Sequence, residues 1–253
     1  MSFQKPTVTS EINYTARNGE EMSKYRFDFV IFDFDGTVVK TDDAIVYCAL
    51  EAMRMQIGDN VLFDESTVRT LIASGATLAQ TFASLRVPES DIPAYISSYR
   101  EIYWTAGDSL CSLFDRVTET FQELSQAGIS LALLSNKGQA AVERAVERFG
   151  LKPWLRLYMG EQAGMEPKPN PQIFDARVAP QLGISDRSRV LVVGDTAADI
   201  LFAKNIGCSS CWVTYGFGNP VECAALNPDH TANSVPAVAE LILGRRRLIN
   251  LSP

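Results

Sequence analysis

From Phe27 onward, short apolar runs alternate with segments of helical period. The runs Phe29–Phe34, Ile129–Leu134, Leu155–Met159, Val190–Val193 and Cys211–Thr214 are continuous rather than alternating. Such runs suit strands buried on both faces, as in a parallel sheet. The segments between them carry helix punctuation. Asp115 stands where it would cap a helix ending at Gly128. Gln139–Phe149 places Ala141, Ala145 and Phe149 on one face, and Gly150 follows. Asn170-Pro171 reads as a cap and first turn, with Gly183 as the stop. Ala197–Ile206 ends at Gly207, and Ser234 opens a last helix that closes at Gly244. Strand–helix alternation predicts an α/β fold with a doubly wound parallel sheet.

One region breaks the alternation. Residues 42–109 contain no strand-like run. They read instead as four helices, Asp43–Gln56, Asp64–Ser74, Thr77–Leu85 and Ile92–Thr105. The pattern predicts three parts: an N-terminal extension over 1–26, a core over 27–41 and 110–253, and a small helical domain inserted over 42–109. The crossings near Val39–Asp42 and Asp108–Ser112 are the expected hinges.

Composition narrows the function. The chain has 253 residues, 46% hydrophobic and 21% charged, enough to bury a sizeable core. A net charge of −7 argues against a nucleic-acid or anionic-membrane partner. No apolar run reaches bilayer length, and the polar residues 1–26 lack the apolar centre of a secretory signal. The five cysteines are scattered and odd in number, which fits a reducing, cytoplasmic setting. Cys208-Ser-Ser-Cys211 has no second CxxC and His230 is the single histidine, so the pair reads as structural thiols. The basic Arg245-Arg246-Arg247 is read as a solvated helix terminus.

Four polar elements carry the chemistry, each beside a strand end or a return loop. They are Asp33-Phe-Asp35-Gly36-Thr37, Ser135-Asn136-Lys137, Pro167-Lys168-Pro169 and Gly194-Asp195-Thr196-Ala-Ala-Asp199. Taken singly, each has an ordinary reading as a turn, a helix cap or a solvated lysine. Taken together and in this order, they point to one site. If strand geometry persisted past Phe32, Asp33 and Asp35 would face the same side. Converging carboxylates need a metal ion, a shared proton or a cation to hold them.

This combination resembles the haloacid dehalogenase superfamily, with residues 42–109 resembling its type-1 helical cap. Ser135-Asn136-Lys137, Pro167-Lys168-Pro169-Asn170-Pro171 and the late Thr214-Tyr215-Gly216-Phe217-Gly218 are most similar to the phosphoglycolate-phosphatase-like branch. The resemblance implies an Mg²⁺-dependent phosphatase acting on a small phosphorylated metabolite through an aspartyl-phosphate. It implies Asp33 as nucleophile, Asp35 as acid and base, and Ser135 and Lys168 as catalytic groups on the phosphoryl oxygens. It adds Gly36, Thr37 and Asn136 to the substrate contacts. It gives Asp33, Asp195 and Asp199 as metal residues, with Asp35 through its main-chain carbonyl. A monomer or homodimer is expected.

Within the family, Asp35 favours phosphoryl transfer over dehalogenation. The absence of lysine between Lys40 and Lys137 argues against a Schiff-base phosphonatase. A phosphomutase of the β-phosphoglucomutase type, or a pyrophosphatase or nucleotidase, remains the alternative. Arg54, Arg69, Arg86 and Arg100 are candidate anion contacts in the inserted helices, and Gly75 is a candidate for close backbone approach. A dinucleotide-binding protein is disfavoured because no G-x-G-x-x-G follows the first strand. A silent scaffold of the same fold is disfavoured by the intact set of polar groups.

Overall fold

In a computed structural model, described over residues 24–58 and 64–245, the apolar runs become the strands of one parallel sheet. Most of the expected extension, residues 1–23, lies outside the described residues, as do Arg246 and Arg247. Eight strands form among the described residues. They are β1 (Phe29–Phe32), β2 (Val39–Lys40), β3 (Ser112–Leu113), β4 (Ser130–Gly138), β5 (Leu155–Glu161), β6 (Val190–Gly194), β7 (Ser209–Val213) and β8 (His230–Ala232). The main sheet runs β5-β4-β1-β6-β7-β8, with every pairing parallel.

Alternate residues of the central strands enter two different cores. Val30, Phe32, Leu131, Leu133, Leu191 and Val193 belong to one. Ile31, Ala132, Leu134, Val190 and Val192 belong to the other. Both faces are therefore dry, which explains why these strands read as continuous apolar runs.

The helices are α1 (Asp42–Ile57), α2 (Glu65–Ala73), α3 (Leu78–Ser84), α4 (Ile92–Thr105), α5 (Val117–Gln126), α6 (Gln139–Arg148), α7 (Ala179–Leu182), α8 (Ala197–Ile206), α9 (Pro220–Ala225) and α10 (Val235–Ile242). The first core takes Phe121, Leu124, Val142 and Val238 from α5, α6 and α10. The second takes Phe202 and Ile206 from α8, with Phe174 and Val178 from a π-helical turn that leads into α7.

Local signals set most boundaries. Asp64 accepts from the Thr67 amide at 2.9 Å and starts α2. Thr77 and Gln80 form a reciprocal capping box on α3. Ser234 caps α10, and Gly183 and Gly207 end their helices in the left-handed region. Asp115 does not cap α5, contrary to expectation. Arg116 takes the cap position with φ 61° and makes no side-chain cap bond. The helix starts one residue later than the cap expected at Asp115, which therefore precedes the cap position.

Helices α1–α4 stand between β2 and β3 in the chain. The two crossings meet there as a two-stranded antiparallel ladder, Val39 opposite Leu113 and Lys40 opposite Ser112. A main-chain bond from Asn219 to Ala73 ties α2 to the loop before α9. Gly75 has φ +75° and faces Thr196, whose Oγ1 would lie 2.9 Å from an added Cβ. The close approach expected at Gly75 is therefore present, and it is made to the loop before α8.

Candidate active site

The chain runs outward from β1 to β4 and β5, then returns to β6 on the other side of β1. Open α/β sheets bind ligands at such a reversal, beyond the carboxyl ends of the strands. The four polar elements converge there, around a cavity of about 410 Å³. Asp33, Ser135, Lys168 and Asp195 all line it.

Asp33 follows β1, and its amide donates to the Val193 carbonyl of β6 at 2.8 Å. Lys168 Nζ donates to Asp33 Oδ1 at 2.6 Å, to Asp199 Oδ1 at 2.7 Å and to the Leu134 carbonyl at 2.9 Å. Oxygens of Asp33, Asp195 and Asp199 lie within 4.8 Å of one another, and all three residues are buried. Asp195 Oδ1 accepts from Thr37 Oγ1 at 3.1 Å, and its Oδ2 accepts from the Phe217 amide at 2.8 Å. Asp199 Oδ2 accepts from the hydroxyl and amide of Thr196.

Three carboxylates thus face one ammonium. Burial, the larger cause, pushes the Asp33 carboxyl up; Lys168 opposes this, while Asp199 and Asp195 add to it. Burial and then Asp199 raise Asp195 to about 7. Burial acts against the charge on Lys168, but Asp199 and Asp33 outweigh it and hold the ammonium above its ordinary range. One ammonium cannot balance all three buried carboxyls in their ionised form, and a divalent ion would supply the missing charge. The donor set is all oxygen, which suits Mg²⁺.

Asp35 does not join this cluster. The ladder ends at Phe32, and a turn follows in which the amides of Val38 and Val39 donate to the Phe34 carbonyl. The two-residue period therefore stops before it can bring Asp33 and Asp35 together. The Asp35 carboxylate lines the cavity and accepts from Lys137 Nζ at 3.1 Å.

Two expected substrate contacts have other partners. The Asn136 amide group is bracketed by the main chain of Lys168: Oδ1 accepts from its N–H at 2.8 Å and Nδ2 donates to its carbonyl at 3.1 Å. Asn136 thereby holds the lysine loop against β4. Thr37 Oγ1 is given to Asp195, and the Thr37 carbonyl accepts from the Tyr215 hydroxyl at 2.8 Å. Gly36 has φ +80°, and a Cβ there would lie 2.2 Å from Asp195 Oδ2. Ser135 is buried on the cavity wall, and its Oγ accepts from the Lys137 amide at 3.1 Å.

The run Thr214-Tyr215-Gly216-Phe217-Gly218, which supports the family resemblance but has no site role in the sequence, also reaches the cluster. The loop packs against Asp195 so closely that a Cβ on Gly216 would lie 2.3 Å from the Asp195 Cβ. Two glycines spaced i, i+2 after a strand are the signal for such an approach. Of the four candidate arginines, Arg100 lines the cavity, and its Nη2 lies 3.2 Å from Glu161 on β5. Arg54 pairs with Glu51, and Arg69 with Asp42 and Asp43. The CxxC thiols are unpaired, and burial raises both to about 12, which opposes thiolate chemistry. Among the described residues, no helix is long and apolar enough to cross a membrane.

The chain is similar to known proteins in sequence and in fold. A phosphoglycolate phosphatase of Vibrio parahaemolyticus is 29% identical over 228 residues, covering 87% of this chain and 98% of that one. Pyrophosphatase PpaX of Bacillus velezensis is 26% identical over 209 residues, covering 83% and 93%. The crystal structure of a predicted phosphoglycolate phosphatase from Haemophilus somnus superposes with a TM-score of 0.72 at 25% identity, over 87% of this chain and 99% of that one. The family model of haloacid dehalogenase-like hydrolases matches residues 30–213, a span that holds all four polar elements, and the chain belongs to that family.

Proposed function

We propose that this hydrolase is an Mg²⁺-dependent phosphatase of small phosphate monoesters, acting through a phosphorylated Asp33. The observation that carries the reading is the Asp33–Lys168 pair at 2.6 Å on the cavity wall, with Asp195 and Asp199 completing a tight carboxylate cluster. Asp33, Asp195 and Asp199 would hold the cation, with Asp35 contributing its main-chain carbonyl. The ion would neutralise charge on the phosphoryl oxygens.

In the first step Asp33 attacks phosphorus, the bond to the leaving oxygen breaks, and Asp35 gives that oxygen a proton. In the second, Asp35 takes a proton from water, which attacks phosphorus and frees Asp33. Ser135 and Lys168 bind the phosphoryl oxygens, and Lys168 offsets charge as it is transferred. Residues 42–109 act as a cap over a core formed by 27–41 and 110–253. The expected setting is cytoplasmic, as a monomer or homodimer.

A small phosphorylated acid, phosphoglycolate among them, is the substrate this reading favours. Two observations support it: the names of the curated relatives, and Arg100, the one basic side chain that α1–α4 contribute to the cavity lining among the described residues. Pyrophosphate is the second reading, favoured by the PpaX relative. A screen of phosphorylated metabolites with and without Mg²⁺ tests both. The expected result is phosphate release that requires the cation and disappears in Asp33→Asn while the thermal melt stays cooperative. Full turnover by Asp33→Asn would remove the assigned nucleophile.

A further inference from the structure

Lys137 occupies a position that the reading above leaves unused. It follows Ser135 and Asn136 at the end of β4, and its side chain is only 9% exposed. A buried ammonium needs partners. Lys137 Nζ has the Asp35 carboxylate at 3.1 Å and the ring of Tyr103 centred 4.5 Å away. The first partner belongs to the turn after β1; the second belongs to α4, in the inserted helices. Tyr103 is itself buried, and its hydroxyl lies 3.4 Å from Cys111 Sγ, where the chain returns from those helices to the sheet. Asp35 and α4 are therefore joined through one cation.

We propose that Lys137 is a positioning residue that aims the Asp35 carboxylate, and that it holds this aim only while the Tyr103 ring is seated against its ammonium. The proposal rests on the reading of Asp35 as acid and base. Without Tyr103, the ammonium loses a ring face that favours it in a dry site, and water or another acceptor can draw it away. Without Lys137, the Asp35 carboxylate keeps its place in the chain but loses its aim. Misplacing a catalytic group by about an ångström costs roughly a hundredfold in rate. The inserted helices would then contribute to the chemistry as well as cover it.

The test is steady-state kinetics on 2-phosphoglycolate and p-nitrophenyl phosphate with saturating Mg²⁺. The variants are Lys137→Met, Lys137→Arg, Tyr103→Leu, the Lys137→Met/Tyr103→Leu double and Asp35→Asn. Lys137→Met is expected to lower kcat about 30-fold or more while KM moves less than about threefold. Lys137→Arg is expected to restore kcat to within about fivefold, and Tyr103→Leu to lower it about fivefold to tenfold. The double variant should be no slower than Lys137→Met, because Tyr103 acts through Lys137. An unchanged kcat in Lys137→Met, a change in KM alone, or independent losses that multiply in the double variant would overturn the proposal. If Lys137→Met does not melt cooperatively, Tyr103→Leu and Lys137→Arg decide: an unchanged kcat in the first, or no turnover by a folded second, counts against it. Asp35→Asn separates the two levels. Full turnover there removes the acid–base role itself, whereas an inactive Asp35→Asn beside a fully active Lys137→Met removes only the positioning.

Discussion

Asp195 shows how single residues at this site constrain one another. Its side chain takes a hydroxyl from Thr37 and an amide from Phe217, while Gly36 and Gly216 leave room for it. Gly36→Ala would place a methyl group 2.2 Å from Oδ2, at a backbone angle that L side chains rarely adopt. We expect it to cost about 2 kcal/mol or more, a fall in Tm of about 4–8 °C, with a weakened response to Mg²⁺. A melt at wild-type temperature would contradict this. The charge balance makes a second prediction. The Asp195 carboxyl sits at about 7, above its ordinary 3.8, so the cation-free fold binds that proton more tightly than the unfolded chain does. That contribution is full below the ordinary value and is lost as pH rises through about 7. A Mg²⁺ ion held by Asp195, as proposed, would have to displace the same proton. Its stabilising effect in thermal melts should therefore be small near pH 5 and larger near pH 8, roughly, measured against chelator. An equal shift at both pH values would rule out the proton competition. The acidic and basic groups of the site were legible as residue types in a telling order. The separation of Asp35 from the cluster was not, because it depends on where the β1 ladder stops.

At the scale of elements, legibility followed the strength of local signals. The bounds Ile92–Thr105 and Ala197–Ile206 agree with the sequence reading to the residue. Proline in the first turn marks the former, and a Thr196–Asp199 capping box with Gly207 marks the latter. The strands β2, β3 and β8 have two or three residues each, too few to display any period. They form because tertiary neighbours offer an edge: β7 for β8, and each crossing for the other. The helix α4 carries Arg100 to the cavity, with Tyr103 one turn further along. The Arg100–Glu161 pair is more than half exposed on both sides, so it is weak and exchangeable. Arg100→Ala should raise KM for 2-phosphoglycolate about tenfold while leaving p-nitrophenyl phosphate within about twofold, because only the former carries a second anion. Equal effects on both substrates would remove Arg100 as the carboxylate contact.

At the scale of the whole molecule, the sheet order decides where chemistry happens. Reversal around β1 sets the ends of β1, β4 and β6 side by side, and these ends carry Asp33, Ser135 and Asp195. Lys168 arrives from the loop after β5 and is locked by Asn136. The four motifs lie far apart in sequence yet meet in one cavity, and this order of strands brings them together. The alternation of strands and helices foretold a parallel sheet, but not its order, since apolar runs of similar composition do not name their neighbours. Under the proposed function, this arrangement makes Asp33 the nucleophile toward phosphorus. The most direct measurement is an acid quench during turnover of a radiolabelled phosphate ester with Mg²⁺, followed by peptide mapping. Hydroxylamine-labile label is expected on the peptide containing Asp33, and none in Asp33→Asn. Phosphate release at full rate from Asp33→Asn, or stable label on a different residue, would contradict it.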